Sequence, residues 1–222
     1  MPAYYADLHI HIGTAAGRLV KITASRDLTV ERIIQFVPRE KGLSILGLVD
    51  VSSPAVQADL QGLLAAGRLA EHPRGGLVSE QLLIIPGAEL ELVLPGRGAA
   101  HYLAYFPSLE ACTEFSIAIR SYLTNPYLST QNVALAPEAA LELVESYQGF
   151  FTPAHAFTPH KGVLGCCVPD LAQAFPSFLP HILTLELGLS ADTKMADTVS
   201  SLSQLTFLSS SDAHSLPKIG RE

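Results

Sequence analysis

The chain has 222 residues, 48% hydrophobic and 16% charged, with 14 basic side chains against 21 acidic ones and a net charge of −7. That composition supports a large buried core and excludes an extended disordered chain. The acidic balance argues against a dedicated nucleic-acid clamp, which is usually basic. No apolar run reaches the length of a membrane span, so a cytoplasmic protein with no membrane contact is expected.

The first predicted strand runs from Tyr4 to His11 and ends in His-x-His. Side chains two apart on a strand share a face, so His9 and His11 point the same way, as two ligands of one metal would. Asp7 shares that face if the strand stays regular. The competing reading is a chance pair of solvated histidines. A polar loop from Gly13 to Asp27 follows, carrying Lys21 and Arg26. Asp27 or Thr29 can cap a helix over Val30 to Val37. Ser44 to Val49 is a nearly continuous apolar run that ends at Asp50, the pattern of a strand buried on both faces.

A helix is predicted over Ala55 to Leu69, then a strand over Leu82 to Ile85 closed by Pro86 and Gly87, with Glu89 and Glu91 beyond. Ala88 to Phe106 reads as a hairpin turning at Pro95 to Gly98, with His101 on its second arm. Helices follow over Leu109 to Leu123 and Pro137 to Tyr147. Phe150 to Ala154 is a strand ending at His155, and the loop Phe157 to Gly165 holds His160 and Lys161. Leu183 to Leu187 is a strand carrying Glu186, Asp192 to Gln204 reads as helical, and Leu205 to Ser209 is a strand ending at Asp212 and His214. Lys218 to Glu222 reads as the start of a further segment. Of the three cysteines, Cys112, Cys166 and Cys167, none has the spacing of a zinc site, and reduced thiols in or near the core are expected.

Short apolar strands alternating with amphipathic helices predict an α/β fold with a mostly parallel sheet, closed or distorted into a barrel. In such barrels catalytic residues gather at the C-terminal ends of the strands. His9, His11, Asp50, Glu89, His155 and Asp212 fall there; His101, which opens its strand, fits an arm returning from Glu89. Imidazole and carboxylate donors suit zinc, manganese or iron, and a shared carboxylate suits a site of two or three ions. Two ions held ~3.5–4 Å apart can activate water and stabilise the leaving oxygen of a phosphoryl transfer. Simpler readings compete: His101 as a buried, satisfied histidine, Glu91 and Glu186 as solvated carboxylates, His72 and His181 as surface residues. His160 either orients substrate or sits in a mobile loop.

The ordered set Asp-x-His-x-His (Asp7, His9, His11), Asp50, Gly-x-Glu (Gly87, Glu89), His101, Pro-Ala-His (Pro153, Ala154, His155) and Asp-x-His (Asp212, His214) resembles the polymerase and histidinol phosphatase (PHP) superfamily over the whole chain. The resemblance implies a distorted seven-stranded β/α, TIM-like barrel with a metal-dependent phosphoesterase centre. It implies that His9, His11, Glu89 and Asp212 hold one divalent ion, zinc or manganese, and that Glu89, His101 and His155 hold a second. Asp212, Glu89 and His155 would be the catalytic members.

Lys21 to Thr29, Pro153 to Gly165, Ser190 to Asp197 and Ser211 to Glu222 are more closely similar to the endonuclease Q-like branch. That branch cuts DNA on the 5′ side of deaminated bases such as uracil, hypoxanthine or xanthine, in DNA repair. Its members are longer, so residues 1–222 read as a PHP-type catalytic domain forming the N-terminal part of a longer protein. Lys21, His160 and Lys161 are the candidates to meet phosphate. Superfamily members often place histidines after His11 and after Asp50. Here the loop has none, and Val51, Ser52 and Ser53 follow Asp50, so a third ion would rest on His214 with Asp50. The expected function is a metal-dependent phosphodiesterase acting on deaminated DNA. The alternatives are a small-molecule phosphatase acting on a sugar or amino-alcohol phosphate, and a non-catalytic scaffold.

Overall fold

The computed structural model of the protein describes residues 4–221; Glu222, the last residue of the final stretch quoted above, lies outside them. The centre of the fold is three parallel strands, Ala6–Ile10, Ile45–Leu48 and Leu83–Leu94, in that spatial order. Ile10, Leu46, Leu48 and Ile84 are fully buried, which accounts for the near-continuous apolar runs. Helices Val30–Glu40 and Pro54–Ala65 are the crossovers between them. The first is capped by the Thr29 hydroxyl, which accepts from the Arg32 amide, and it buries Val30, Ile33 and Val37. It continues past the expected stop at Pro38, whose missing N–H is tolerated within the last turn. The second stops at Ala65, short of the expected Leu69, because Gly67 turns the chain at φ 66°.

Leu83–Leu94 is one long strand, not a short strand followed by a separate hairpin arm. Pro86 fits inside it because its carbonyl still accepts from the Phe106 amide. The chain returns antiparallel along Gly98–Tyr105, which pairs in turn with Phe150–Pro153. Thr184–Glu186 and Thr206–Leu208 form a separate parallel pair. The predicted helix over Asp192 to Gln204 is realised as two short pieces, Thr193–Ala196 and Ser200–Leu202. Thr198, Val199 and the serines that follow are poor helix formers, and their side chains compete for local hydrogen bonds.

The result is a mixed α/β fold around a largely parallel centre. Of the expected closed or distorted barrel, the ladders among the described residues trace no closed circuit. Two seams interrupt it. Between Phe150–Pro153 and Thr184–Glu186 the links are single bonds, such as the Ala156 amide to the Glu186 carbonyl at 2.8 Å. Between the first strand and the segment after Leu208 there is one bridge, Ile10 with Ala213. No helix among the described residues is long and apolar enough to cross a membrane.

Candidate metal centre

The first strand aims His9 and His11 at one spot under a cleft of about 590 Å³. Each ring is held from behind by a buried carboxylate. Both Glu186 oxygens lie within 3.2 Å of His9 Nδ1, and both Asp50 oxygens within 3.2 Å of His11 Nδ1. A carboxylate on Nδ1 fixes the tautomer and leaves Nε2 as a lone pair facing forward. Both Nε2 atoms are buried and have no hydrogen-bond partner among the described residues, and the same is true of Asp212 Oδ1. Asp212 Oδ1 lies 3.5 Å from His9 Nε2 and 3.2 Å from His11 Nε2. Glu89 adds Oε1 at 3.5 Å from His9 Nε2 and Oε2 at 3.4 Å from His11 Nε2. Four donors bound to one ion at about 2.1 Å in tetrahedral geometry stand ~3.4 Å apart. The orphaned atoms and their spacing therefore fit a divalent cation, which would satisfy all of them at once.

A second group lies beside the first. His101 Nδ1 is 2.9 Å from Glu89 Oε1 and 3.2 Å from His155 Nε2, and His155 Nε2 is 3.6 Å from the same oxygen. Glu89 thus touches both groups. It reaches them because it sits in the middle of the long strand, opposite Leu103 and two pairs away from the Glu91–His101 pair. His155 and Asp212 both hold left-handed backbone, at φ 28° and φ 47°, an unfavourable conformation that clusters at functional sites. Thr130 at φ 50° and Lys161 at φ 62° line the same cleft. The Glu186 carboxylate accepts from the His155 amide at 2.8 Å, and Gly188 packs so close that an added Cβ would come within 2.5 Å of His155 Cβ.

The charges are mutually dependent. Burial pushes the Glu89 carboxyl up, but Lys21 and His101 outweigh it and hold the group well below the usual range. Asp212 is likewise held low, because His11 and His9 outweigh its burial. Burial disfavours charge on His9, yet Glu186 and Glu89 raise it well above an ordinary histidine. His11 is raised as well: burial and Lys21 lower it, while Asp50 and Asp212 more than compensate. A proton on each ring is the alternative to a cation. Below their raised values the rings carry protons that a cation must displace; above them the rings are free. Metal affinity is therefore expected to rise with pH, and binding near neutrality to release protons. Calorimetric Mn²⁺ titrations in buffers of different ionisation enthalpy test this, since an apparent enthalpy independent of the buffer would contradict it.

The other predicted residues are placed less directly. Asp50, expected among the ligands, faces away from the cleft; His11 Nδ1 and the Ile12 amide, the latter at 2.6 Å, take both its oxygens. His214 lies beside the first group, its Nδ1 2.9 Å from the Asp212 carbonyl and its ring 4.5 Å from that of His11. Lys21 sits on Glu89 at 3.0 Å, and Lys161 on Glu91 at 3.0 Å. His160 is exposed on the cleft wall. Asp7 does not join the cluster. It accepts from Ser211 and from the Gly220 amide, and the strand's pairing register shifts just after it. Cys112 is buried, but Cys166 is exposed and Cys167 partly so.

Glu186 is the residue the sequence reading underrated. It is 1% exposed, not solvated. The signal was present: a carboxylate inside the apolar run Leu185–Leu187 must be buried with a partner.

No family model matches the chain. Uncharacterized protein YqxK of Bacillus subtilis (strain 168) is 41% identical over 226 residues, covering all of this chain and 58% of that protein. The lesion-specific endonuclease Q of Pyrococcus furiosus superposes with a TM-score of 0.81 at 29% identity, over 97% of this chain and 50% of its own. Endonuclease Q in complex with a 27-mer duplex substrate, an abasic lesion at its active site, gives a TM-score of 0.78 at 29% identity, over 95% of this chain and 49% of its own. The chain thus spans about half the length of these relatives.

Proposed function

We propose that this chain, an endonuclease Q-like member of the PHP superfamily of metal-dependent hydrolases, is a phosphodiesterase domain that nicks DNA 5′ of deaminated bases. The observation that carries the reading is the convergence of three buried, unpartnered donor atoms, His9 Nε2, His11 Nε2 and Asp212 Oδ1, on one point beneath an open cleft. A scaffold gains nothing from such atoms, since an unsatisfied buried polar group costs stability. The endonuclease Q complex with duplex DNA supports DNA as the substrate. The circuit of strands, interrupted at its two seams, is taken as the distorted seven-stranded barrel of the PHP type, and residues 1–222 as its catalytic domain. A cytoplasmic location and a role in DNA repair go with this reading.

His9, His11, Asp212 and Glu89 would hold one ion, and Glu89, His101 and His155 a second, zinc or manganese by donor type. When bound, two such ions supply an activated water and charge stabilisation for the phosphoryl transfer and its departing 3′ oxygen. The protein's own contribution is placement. Glu186 and Asp50 hold the Nδ1 atoms of His9 and His11 and so aim their Nε2 atoms at the ion position. Glu186 also holds the strained His155 backbone in position. Lys21 and Lys161 bring positive charge to the cleft walls, where a phosphate would enter, and His160 stands at the rim to orient the strand. His214 fixes the Asp212 turn through the Asp212 carbonyl, so a third ion has no dedicated buried donor set among the described residues.

The test is incubation of the metal-loaded chain with duplexes bearing uracil or hypoxanthine. Nicks on the 5′ side are expected at low salt with Mn²⁺ or Zn²⁺, and near-complete loss at moderate salt. A chain of net charge −7 neutralises few phosphates, and that contribution weakens steeply with ionic strength. Robust hydrolysis of small phosphate monoesters with no cutting of any deaminated duplex would move the assignment to the phosphatase class.

A further inference from the structure

We propose that Lys21 is a placeholder charge: it neutralises Glu89 in the cation-free protein, is displaced when a divalent ion binds that carboxylate, and the freed ammonium then meets the substrate phosphate. The proposal deepens the phosphodiesterase reading and rests on it.

Lys21 is 9% exposed, unusual for a lysine on a cleft wall. Its backbone is fixed, with the Lys21 amide bonded to the Ile12 carbonyl and the Val20 carbonyl to the Ser129 amide, both at 3.0 Å. Its ammonium donates to Glu89 Oε2 at 3.0 Å and to the Thr130 hydroxyl at 2.5 Å. That hydroxyl donates to the same oxygen at 2.5 Å. Glu89 Oε2 is also the oxygen that faces His11 Nε2, at 3.4 Å. A carboxylate oxygen offers two lone-pair directions, and Lys21 and Thr130 already fill both. A cation joined to this oxygen, His11 and Asp212 must take one of them. It also brings two positive charges beside the ammonium, so the lysine is the partner that leaves.

The geometry gives the lysine somewhere to go. Two of its three N–H groups are used, its stem has four rotatable carbons, and its side chain already lines the open cleft. Lys161 provides an internal contrast. Its partner is Glu91, which belongs to neither donor group and touches the second one only from behind, through His101 Nε2 at 3.4 Å, so cation binding does not compete for the oxygen that holds Lys161.

The experiment titrates cation-free protein with Mn²⁺ against a chelating indicator, then measures binding of inorganic phosphate to the loaded protein. Lys21→Met is expected to bind Mn²⁺ roughly tenfold more tightly, since a competing charge is gone, and to bind phosphate more weakly. Lys21→Arg should stay near wild type in Mn²⁺ affinity. Equal or weaker Mn²⁺ binding by Lys21→Met would overturn the proposal, because a residue that merely props the carboxylate gives that result. A second arm uses the wild-type protein and does not depend on a variant folding. Amine acylation mapped by peptide mass should label Lys21 slowly without cation and faster with Mn²⁺, with a much smaller change at Lys161. Lys21 labelling that ignores Mn²⁺ overturns the exchange alone. A wild-type protein that binds neither Mn²⁺ nor Zn²⁺ overturns the phosphodiesterase reading beneath it.

Discussion

Asp212→Asn is expected to abolish the proposed nicking while leaving the fold intact. The substitution keeps the shape of the side chain and removes the charge that would hold a cation against His9 Nε2 and His11 Nε2. Asparagine suits the backbone here better than most residues: position 212 holds φ 47°, and asparagine is among the side chains that tolerate the left-handed region. An alanine would mix backbone strain with the loss of the carboxylate. Removing a central catalytic group costs roughly four to six orders of magnitude in rate, so nicking should fall below detection. Circular dichroism should change little, since Asp212 is about one-third exposed and its Oδ1 has no hydrogen-bond partner to lose among the described residues. An Asp212→Asn protein that cuts as fast as wild type would sink the mechanism.

Glu89→Gln should have the broadest effect. Its oxygens reach both groups, Oε1 beside His101, His155 and His9, Oε2 beside His11. Loss of the charge weakens both, so tightly retained metal should fall from two equivalents per chain to one or none after exhaustive dialysis. Nicking should fall at least as far as for Asp212→Asn. The substitution also strands Lys21, whose ammonium loses its only carboxylate partner within 4 Å among the described residues. Breaking a buried pair from one side costs about 3–5 kcal/mol, an upper figure here because Lys21 can reach the cleft and water. A urea midpoint lowered in Glu89→Gln and partly restored in Lys21→Met/Glu89→Gln is therefore expected. A Glu89→Gln protein that keeps two tightly held ions would show that the carboxylate is not shared.

The forward-facing donors of this centre were legible in the sequence because strand geometry is local. His9 and His11 need only two-residue periodicity to share a face, and Glu89, His155 and Asp212 stand at or just beyond the ends of apolar runs. Asp50 was legible in place but not in role. Its sequence position is that of a ligand, yet parallel pairing of Ile45–Leu48 with the first strand sets it behind His11, and register is not written in either strand alone. The burial of Glu186 was legible but its partners were not, since His9 and His155 lie 177 and 31 residues away. The open seams were hidden differently. After Ala154 the chain uses π and 3-10 turns in place of a regular crossover helix, and side-chain periodicity carries little signal for such segments.

The Asp7 carboxylate accepts from the amide and hydroxyl of Ser211, 204 residues later, and from the Gly220 amide beyond it. Asp212 stands directly after that latch. The first strand and its two histidines therefore meet the carboxylate that completes their donor group only across a loop of about two hundred residues, the Asp7–Ser211 contact spanning 204. Closing so long a loop makes the latch a late, slow step in folding. Until it closes, His9 and His11 lack one donor of their group, and the chain must fold back on its own first strand before that group exists.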